Sequence, residues 1–288
     1  MRKYLLLLIT AFTAGCGFNE KPEQIPAYVK VDDISVNVSS GQGTASDNIS
    51  DVWLYYEDPQ LGYTLQGAYE MPATFPILAE GATNVQIRGG VRISGLSSLR
   101  QLYPFYKSYF DTIQLTADGN TVLEPVLEYF EGVTFGWIED AEDPGLSLEE
   151  TETSDTTVQR VFGADAFEGN ASLAFYVDTV RPLFAGFCVE EYDLPKGGSP
   201  VFLEINYKCN QEFVIGVLGN SPDGVTDLVS LTVLPKEEWN KLYVQLTNQV
   251  SNIQNVNTVA YKVYFASLLN PAVQDEGYVF IDNIKLVY

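Results

Sequence analysis

The densest group of residues that could do chemistry is an acidic run between positions 139 and 155. Calcium takes about six to eight oxygen ligands from carboxylates and carbonyls, and an acidic loop can supply both. The spacing does not match the EF-hand loop. We therefore interpret the run either as a calcium-binding loop or as an acidic loop in contact with solvent. Its carboxylates are Glu139, Asp140, Glu142, Asp143, Glu149, Glu150, Glu152 and Asp155.

Two carboxylate pairs in this run, Glu139/Glu142 and Glu149/Glu152, raise the question of glycoside hydrolysis. Glycosidases place two carboxyl groups about 5–9.5 Å apart across a cleft. Such groups usually come from different strands, whereas both pairs here come from one acidic loop. A glycoside hydrolase is therefore only the third of the functions considered.

The chain contains no histidine, and its formal net charge is −22. Without histidine, Ser-His-Asp and Cys-His catalysis, histidine-ligated zinc and an imidazole general base are excluded. Nucleic-acid binding is disfavoured as well, because it needs Lys and Arg to neutralise phosphates. The composition favours a protein that is not an enzyme and does not bind nucleic acid.

Two of the three cysteines, Cys188 and Cys209, lie in the β-rich runs FAGFCVEEY and INYKCNQEF. An even pair of cysteines in an oxidising compartment can form a disulfide. Whether these two sulfur atoms can meet depends on strand register, which the sequence does not give. Both a Cys188–Cys209 disulfide and two separate buried thiols therefore stay open.

The first sixteen residues, MRKYLLLLITAFTAGC, have the features of an export signal. Arg2 and Lys3 are followed by an apolar stretch over residues 5–12 and by a short segment that leads into Cys16. A cationic start, a short apolar core and small residues before a cleavage site are typical of secretory signals. A transmembrane anchor is disfavoured, because about 20 apolar residues are needed to span a bilayer.

Because it ends on Cys16, this segment resembles the bacterial lipoprotein signal, or lipobox. The resemblance implies a signal peptide over residues 1–15 and acylation of Cys16, for example by palmitate. It also implies that residues 16–26 are the lipidated cysteine and a tether to the membrane. We expect a lipid-anchored protein of the outer membrane, on either its periplasmic or its cell-surface face.

From Tyr28 onward, polar and apolar residues alternate with the period of β-strands. A phase slip at Asp32-Asp33 predicts a bulge or bend, and Gly89-Gly90 predicts a hairpin or a kinked strand. The predicted fold class is all-β, with two β-sandwich domains in series. We expect an Ig-like or transthyretin-like N-terminal sandwich over residues 27–126 and a C-terminal jelly roll over residues 127–288.

The second half is similar to the galactose-binding-like or carbohydrate-binding-module jelly rolls. The likeness is carried by Phe130-Glu131, by FEGNASL over residues 167–173, by WNKL over residues 239–242 and by FIDNI over residues 280–284. In these jelly rolls a structural Ca²⁺ is often held by one carboxylate near the first strand and one on the last. The resemblance therefore implies a glycan-binding domain with Glu131 and Asp282 as calcium ligands.

The first half resembles an N-terminal β-domain common in uncharacterised lipoproteins of Bacteroidota-type bacteria. The matching segments are DVWLY over residues 51–55, MPATFPILAEG over residues 71–81 and YPFY over residues 103–106. This likeness assigns no activity, because function is carried by sites rather than by folds.

Aromatic residues offer two interpretations. The block formed by Tyr103, Phe105, Tyr106, Tyr109 and Phe110 either packs in the core or stacks on sugar rings, and core packing is favoured by the alternation. The three tryptophans are interpreted as core anchors; they are Trp53, Trp137 and Trp239.

These observations predict a non-enzymatic envelope lipoprotein whose jelly roll binds a glycan or another envelope ligand. The alternative is a structural or assembly subunit that contacts a partner protein of a surface complex. A large exposed apolar patch on the N-terminal domain would favour the assembly role. A groove rimmed by loops and carrying exposed rings would favour sugar.

We expect Cys16→Ser to release the protein from membranes, because it removes the acylation site and the apolar run is too short to span the bilayer. Fractionation of cells that express the full chain measures this directly. If the variant stays in the membrane pellet after a high-salt wash, the lipoprotein prediction is wrong or a partner holds the protein there.

Overall fold

The computed structural model describes residues 24–252 and 257–288. The predicted signal peptide over residues 1–15 and the predicted lipidation site, Cys16, lie outside this range. The described chain is all-β, apart from a 3-10 turn at Gly163–Asp165 and one helical turn, α1 (Thr247–Val250). None of its helices is long and apolar enough to cross a membrane. The all-β prediction is confirmed.

The N-terminal sandwich packs two short sheets, β5-β1-β9 and β10-β2, against a larger sheet of order β4-β3-β6-β7, in which β8 also pairs with β6. Its strands are β1 (Ala27–Val31), β2 (Ser35–Asn37), β3 (Asp51–Asp58), β4 (Gly62–Glu70), β5 (Ala73–Ile77), β6 (Gly81–Arg92), β7 (Arg100–Leu102), β8 (Tyr109–Leu115), β9 (Asn120–Leu123) and β10 (Val126–Glu128).

Local sequence explains most of this sandwich. In β1, Val29 and Val31 are buried on one face, as period-two alternation requires. The chain leaves this strand before Asp32-Asp33, and β2 then pairs in a different sheet. The hairpin considered at Gly89-Gly90 does not form, because β6 runs through both residues. A Cβ at Gly89 would lie 2.8 Å from the Leu127 side chain, so glycine is needed here for close packing.

The C-terminal jelly roll consists of two sheets, which we name the front and back sheets. The front sheet has the order β13-β14-β21-β16-β19, with β11 also paired to β21, and the back sheet has the order β12-β15-β20-β17-β18. The strands are β11 (Phe135–Glu139), β12 (Leu148–Glu150), β13 (Gln159–Phe162), β14 (Ala171–Asp178), β15 (Leu183–Cys188), β16 (Phe202–Cys209), β17 (Phe213–Ser221), β18 (Gly224–Val233), β19 (Lys236–Gln245), β20 (Ala260–Leu268) and β21 (Glu276–Val287).

Cys188 and Cys209 are both buried, free thiols in the core of the jelly roll. Cys188 ends β15 in the back sheet and Cys209 ends β16 in the front sheet. Burial raises the pKa of each thiol to about 11, so both stay protonated at neutral pH. Of the two interpretations that the sequence left open, the structure has the separate thiols and not the disulfide.

The N-terminal sandwich packs on the outer face of the front sheet. Phe202, Tyr243 and Val287 point outward from this sheet and belong to the hydrophobic core of the N-terminal sandwich. The rings of Tyr103 and Phe202 meet edge to face with their centroids 5.3 Å apart. The backbone joins the two domains as well, because the Ser94 N–H donates to the Tyr243 carbonyl at 2.8 Å. The two sandwiches therefore pack against each other through a continuous apolar interface on the outer face of the front sheet.

A charged cluster is buried inside this contact, and its centre is Glu204, a fully buried residue of β16. One carboxylate oxygen accepts hydrogen bonds from the hydroxyls of Tyr103 at 2.7 Å and Tyr129 at 2.8 Å. The other oxygen lies 2.9 Å from Lys241 Nζ. Lys285 donates to the Thr44 carbonyl and carries a second positive charge beside the carboxylate.

Electrostatics keep this cluster charged. Burial alone would raise the pKa of Glu204, but the charges of Lys241 and Lys285 and the Tyr103 hydrogen bond hold it below its usual value. Burial lowers the pKa of Lys285 to about 8, while the Glu204 charge opposes the shift. Buried charges are tolerated when they are paired, and here one Glu204 oxygen accepts two hydrogen bonds while the other forms an ion pair with Lys241.

We expect Glu204→Ala to lower the free energy of unfolding by about 3–5 kcal/mol, because it leaves two buried lysines without their counter-charge. Urea denaturation of the full chain measures the loss. Glu131→Ala is the matched control: Glu131 is 97% exposed and should change stability by less than about 0.5 kcal/mol. Equal losses for the two variants would show that the cluster does not hold the domains together.

Candidate functional site

The N-terminal sandwich covers only part of the front sheet, and the uncovered part carries a row of aromatic side chains. Strand pairing aligns them: Tyr176 of β14 lies opposite Tyr278 of β21, and Phe280 of β21 lies opposite Lys208 of β16. We call the row the aromatic strip. It comprises Phe167, Tyr176, Trp239, Tyr278 and Phe280.

The rings of the strip form one continuous chain of contacts. The ring centroids of Tyr278 and Phe280 are 4.9 Å apart with an interplanar angle of 27°, and Phe280 and Trp239 are 6.4 Å apart at 30°. Phe167 extends the row at 5.3 Å from Trp239, and Tyr176 contacts Phe280 edge to face at 6.0 Å. Five aromatic side chains from three strands and one loop thus form a single surface.

The strip is open to solvent and has polar edges. Phe167 and Tyr176 are each 37% exposed, whereas Phe280 lies beneath its neighbours. Lys208 Nζ sits 5.7 Å from the Phe280 centroid, which is the geometry of a cation–π contact. Burial and then the Glu237 carboxylate raise the pKa of Tyr278, so this hydroxyl is a hydrogen-bond donor beside an acidic edge. Exposed rings beside polar groups suit a ligand with both apolar and hydroxyl faces.

Two depressions lie at the end of the sandwich next to the strip. The smaller has a volume of about 170 Å³ and is lined by Asn210, Gln211, Glu212, Pro235, Asn270, Val273 and Gln274. The larger, of about 480 Å³, is lined by Glu212, Phe213, Val214, Thr232, Ala266, Ser267, Leu268, Leu269, Asn270 and Pro271. Since both share Glu212 and Asn270, they adjoin each other.

The outer face of the back sheet offers less free ring surface. Its tyrosine, Tyr264, is 8% exposed and lies against Gly216, where a Cβ would come within 2.5 Å of the ring. Its hydroxyl is hydrogen-bonded to Asp227. The ring of Phe187 carries Lys262 Nζ at 4.3 Å from its centroid. Rings that already have partners are poor candidates for ligand stacking.

The predicted calcium ligands have separate partners. Glu131 points into solvent and lies 3.7 Å from Lys107. Asp282 is buried and accepts hydrogen bonds from Ser172 Oγ at 2.6 Å and from the Asn283 N–H at 2.7 Å. Within residues 24–252 and 257–288, no group of three or more cysteine, aspartate or glutamate side chains could hold a metal ion. The calcium prediction gains no support from the described chain.

The acidic run is not one solvated loop, because several of its carboxylates bind backbone N–H groups. Glu139 ends β11, is buried and accepts from the N–H groups of Ala141 and Ser147, both at 2.8 Å. Glu142 reaches across to the N–H groups of Asn170 at 2.6 Å and Ala171 at 3.0 Å. The Asn170 side-chain amide also donates to Glu142, at 2.8 Å, and this bond, followed by the two backbone bonds, lowers the pKa of Glu142. Glu139 and Glu142 therefore fasten loops together.

The aromatic block 103–110 divides between core and surface. Tyr103, Phe105 and Tyr106 are buried against the jelly roll, while Phe110 is 59% exposed on the N-terminal sandwich.

The aromatic strip was not predicted from the sequence, and Trp239, which was interpreted as a core anchor, belongs to it. The local signal was present in Tyr278 and Phe280, which alternate on β21, but their neighbours come from distant segments.

Asp282 gives a pH-dependent prediction. Burial raises its pKa to about 6, against the hydrogen bonds from Ser172 and backbone N–H groups, which lower it. An acid whose pKa is raised by folding stabilises the fold fully below the unfolded value near 3.8 and loses that contribution as the pH rises through about 6. The wild-type stability relative to Asp282→Asn should therefore fall by about 2 kcal/mol between pH 4 and pH 7.

Urea denaturation of both proteins across this pH range measures the difference, and Glu131→Gln serves as the exposed-carboxylate control. A difference between wild type and Asp282→Asn that does not change with pH would contradict the raised pKa.

Comparisons with known proteins give similarities to solved structures alone, since no protein-family model and no curated protein matches the sequence. The family 11 carbohydrate-binding module from Clostridium thermocellum, solved with a β-1,3-1,4-mixed-linked tetrasaccharide, is 14% identical over 52% of this chain and 93% of that chain, with a TM-score of 0.36. A carbohydrate-binding module from the β-sandwich superfamily is 13% identical over 93% and 100%, with a TM-score of 0.38. A family 29 module complexed with mannohexaose is 8% identical over 54% and 92%, with a TM-score of 0.33.

Proposed function

We propose that this protein is a non-enzymatic lipoprotein of the outer membrane that binds a glycan through the aromatic strip of its jelly roll. The strip itself carries the proposal. It is a row of five contacting rings, of which all but the buried Phe280 are at least partly exposed, on the part of the front sheet that the N-terminal sandwich leaves uncovered.

The chemistry of a pyranose ring matches this surface. The C–H groups of a sugar ring are apolar and pack on an aromatic face, while its hydroxyls need hydrogen-bond partners at the edge. Tyr176 and Tyr278 supply hydroxyls, and Lys208 supplies a donor in the same row. Rings with two rotatable bonds also lose little conformational entropy when they are held by a ligand.

The non-enzymatic part of the proposal is supported by the acidic residues. Glu139 and Glu142, one of the two candidate catalytic pairs, are occupied by backbone N–H groups rather than aimed at the strip. The membrane part is supported only by the sequence of the first sixteen residues. Lipid anchoring at Cys16 would leave the described domains in the solvent beside the membrane.

One observation favours the alternative, an assembly subunit that contacts a partner protein. The outer face of β4-β3-β6-β8 in the N-terminal sandwich carries the exposed side chains of Tyr63, Leu65 and Phe110. The rings of Tyr63 and Phe110 meet across this sheet with centroids 6.0 Å apart. Contiguous exposed apolar patches often mark protein interfaces. A surface for a protein and a surface for a glycan can coexist, because they lie on different domains.

We expect Trp239→Ala and Tyr278→Ala each to weaken glycan binding about tenfold, equivalent to about 1.4 kcal/mol, because each removes a ring from the stacking surface. Affinity gel electrophoresis of the full chain against mixed-linkage β-glucan, galactan, mannan and xylan provides the measurement. Phe110→Ala is the matched control, an exposed ring outside the strip that should leave binding unchanged.

Two results would contradict the proposal. One is the absence of binding to every polysaccharide of the panel by the wild-type chain. The other is a loss of binding in Phe110→Ala that equals the losses in the strip variants, since the patch on the N-terminal sandwich would then carry the function.

A further inference from the structure

The aromatic strip adjoins the smaller depression, because the backbone of Tyr278 is hydrogen-bonded to a residue that lines it. Asn210, which lines that depression, pairs with Tyr278 through two hydrogen bonds. The Tyr278 N–H donates to Asn210 Oδ1 at 2.7 Å, and the Asn210 N–H donates to the Tyr278 carbonyl at 3.3 Å. The surface therefore continues from the strip around the end of the sandwich.

The two depressions extend this path to the outer face of the back sheet. Glu212 and Asn270 line both of them. Val214 of β17 and Ala266 of β20 lie directly opposite each other in the back sheet and line the larger cleft. At about 480 Å³, this cleft has the size of pockets that bind small molecules.

The residues that line the two depressions indicate which class of ligand could bind there. The linings include residues with amide, hydroxyl and carboxylate side chains together with the apolar Val214 and Ala266, and neither lining includes a lysine or arginine. The Glu212 carboxylate makes no hydrogen bond or ion pair within the described parts of the chain, so its oxygens are available to accept from a ligand hydroxyl. With a chain charge of −22, an anionic ligand would be repelled here.

We propose that the ligand is a linear, uncharged glycan that lies along the strip, turns around the end of the sandwich and enters the cleft at Glu212 and Asn270. This inference rests on the proposed glycan-binding function and adds the ligand class and a second subsite. The strip binds the faces of sugar rings, and the cleft binds hydroxyl groups further along the same chain. Affinity then depends on chain length, because short oligosaccharides reach one subsite and longer ones reach both.

Calorimetric titration of the full chain tests the inference with β-1,4-linked oligosaccharides of glucose, galactose, mannose and xylose, from the disaccharide to the octasaccharide. We expect at least a tenfold gain in affinity along the series that binds. Glu212→Ala and the cleft-blocking Ala266→Trp should abolish that gain while the affinity for the shortest ligand stays unchanged. Two variants are used because Glu212→Ala alone could disturb the loop between β16 and β17, and Ala266→Trp alone could disturb β20.

Controls separate this inference from the function on which it rests. Trp239→Ala should weaken short and long ligands alike, since it alters the strip. Glu190→Ala is the matched control for Glu212→Ala, because Glu190 is exposed and lies outside both cavity linings. Oligogalacturonates of equal length should bind at least tenfold more weakly than the neutral series.

Three results would overturn the inference. The first is an affinity that does not rise with chain length in the wild type, and the second is a gain that survives in both cleft variants. The third is equal binding of oligogalacturonates. In each case an intact effect of Trp239→Ala would leave the proposed glycan-binding function standing, whereas a complete absence of binding would remove both.

Discussion

The contact between the two sandwiches is built around one buried carboxylate, that of Glu204. A charge in a dry contact between two domains is stable only when each of its oxygens has a partner. Those partners come from both sides, since Tyr103 and Tyr129 belong to the N-terminal sandwich and Lys241 belongs to the jelly roll. Sliding one sandwich over the other would remove the two tyrosine hydroxyls from the carboxylate, although Lys241 would stay beside it. The apolar rings around it would tolerate such sliding far better, so the charge specifies the geometry.

This contact divides the outer face of the front sheet into two regions with different chemistry. Phe202, Glu204 and Tyr243 lie under the N-terminal sandwich, and the rings of the strip lie beyond its edge. Asp282 sits between the two regions, buried and bonded to Ser172. One sheet therefore serves as a domain interface at one end and as an aromatic surface at the other, and strands β19 and β21 contribute to both.

The sequence predicted what depends on near neighbours. Alternation in β1 identified its buried face, and the phase slip at Asp32-Asp33 marked the point where the chain changes sheets. It did not predict what depends on strand order. Glu204 and Lys241 occupy positions that alternation assigns to solvent, and only the packing of the N-terminal sandwich makes them buried. Tyr176 and Tyr278 become neighbours because β14 and β21 pair across about a hundred residues of chain. Gly89-Gly90 was interpreted as a hairpin or a kinked strand; β6 runs through both residues, and the close approach of Leu127 explains Gly89.

The first strand has a mechanical consequence. β1 lies in the middle of its sheet, with β5 antiparallel on one side and β9 parallel on the other. The preceding residue is also fastened, since the Pro26 carbonyl accepts from the Asp118 N–H at 3.0 Å. A pulling force that enters the fold at residue 26 meets two ladders of hydrogen bonds at once, whereas an edge strand would present a single ladder to peel. A protein tethered by its N-terminus and loaded through a bound polymer would resist tension at the point where that tension arrives.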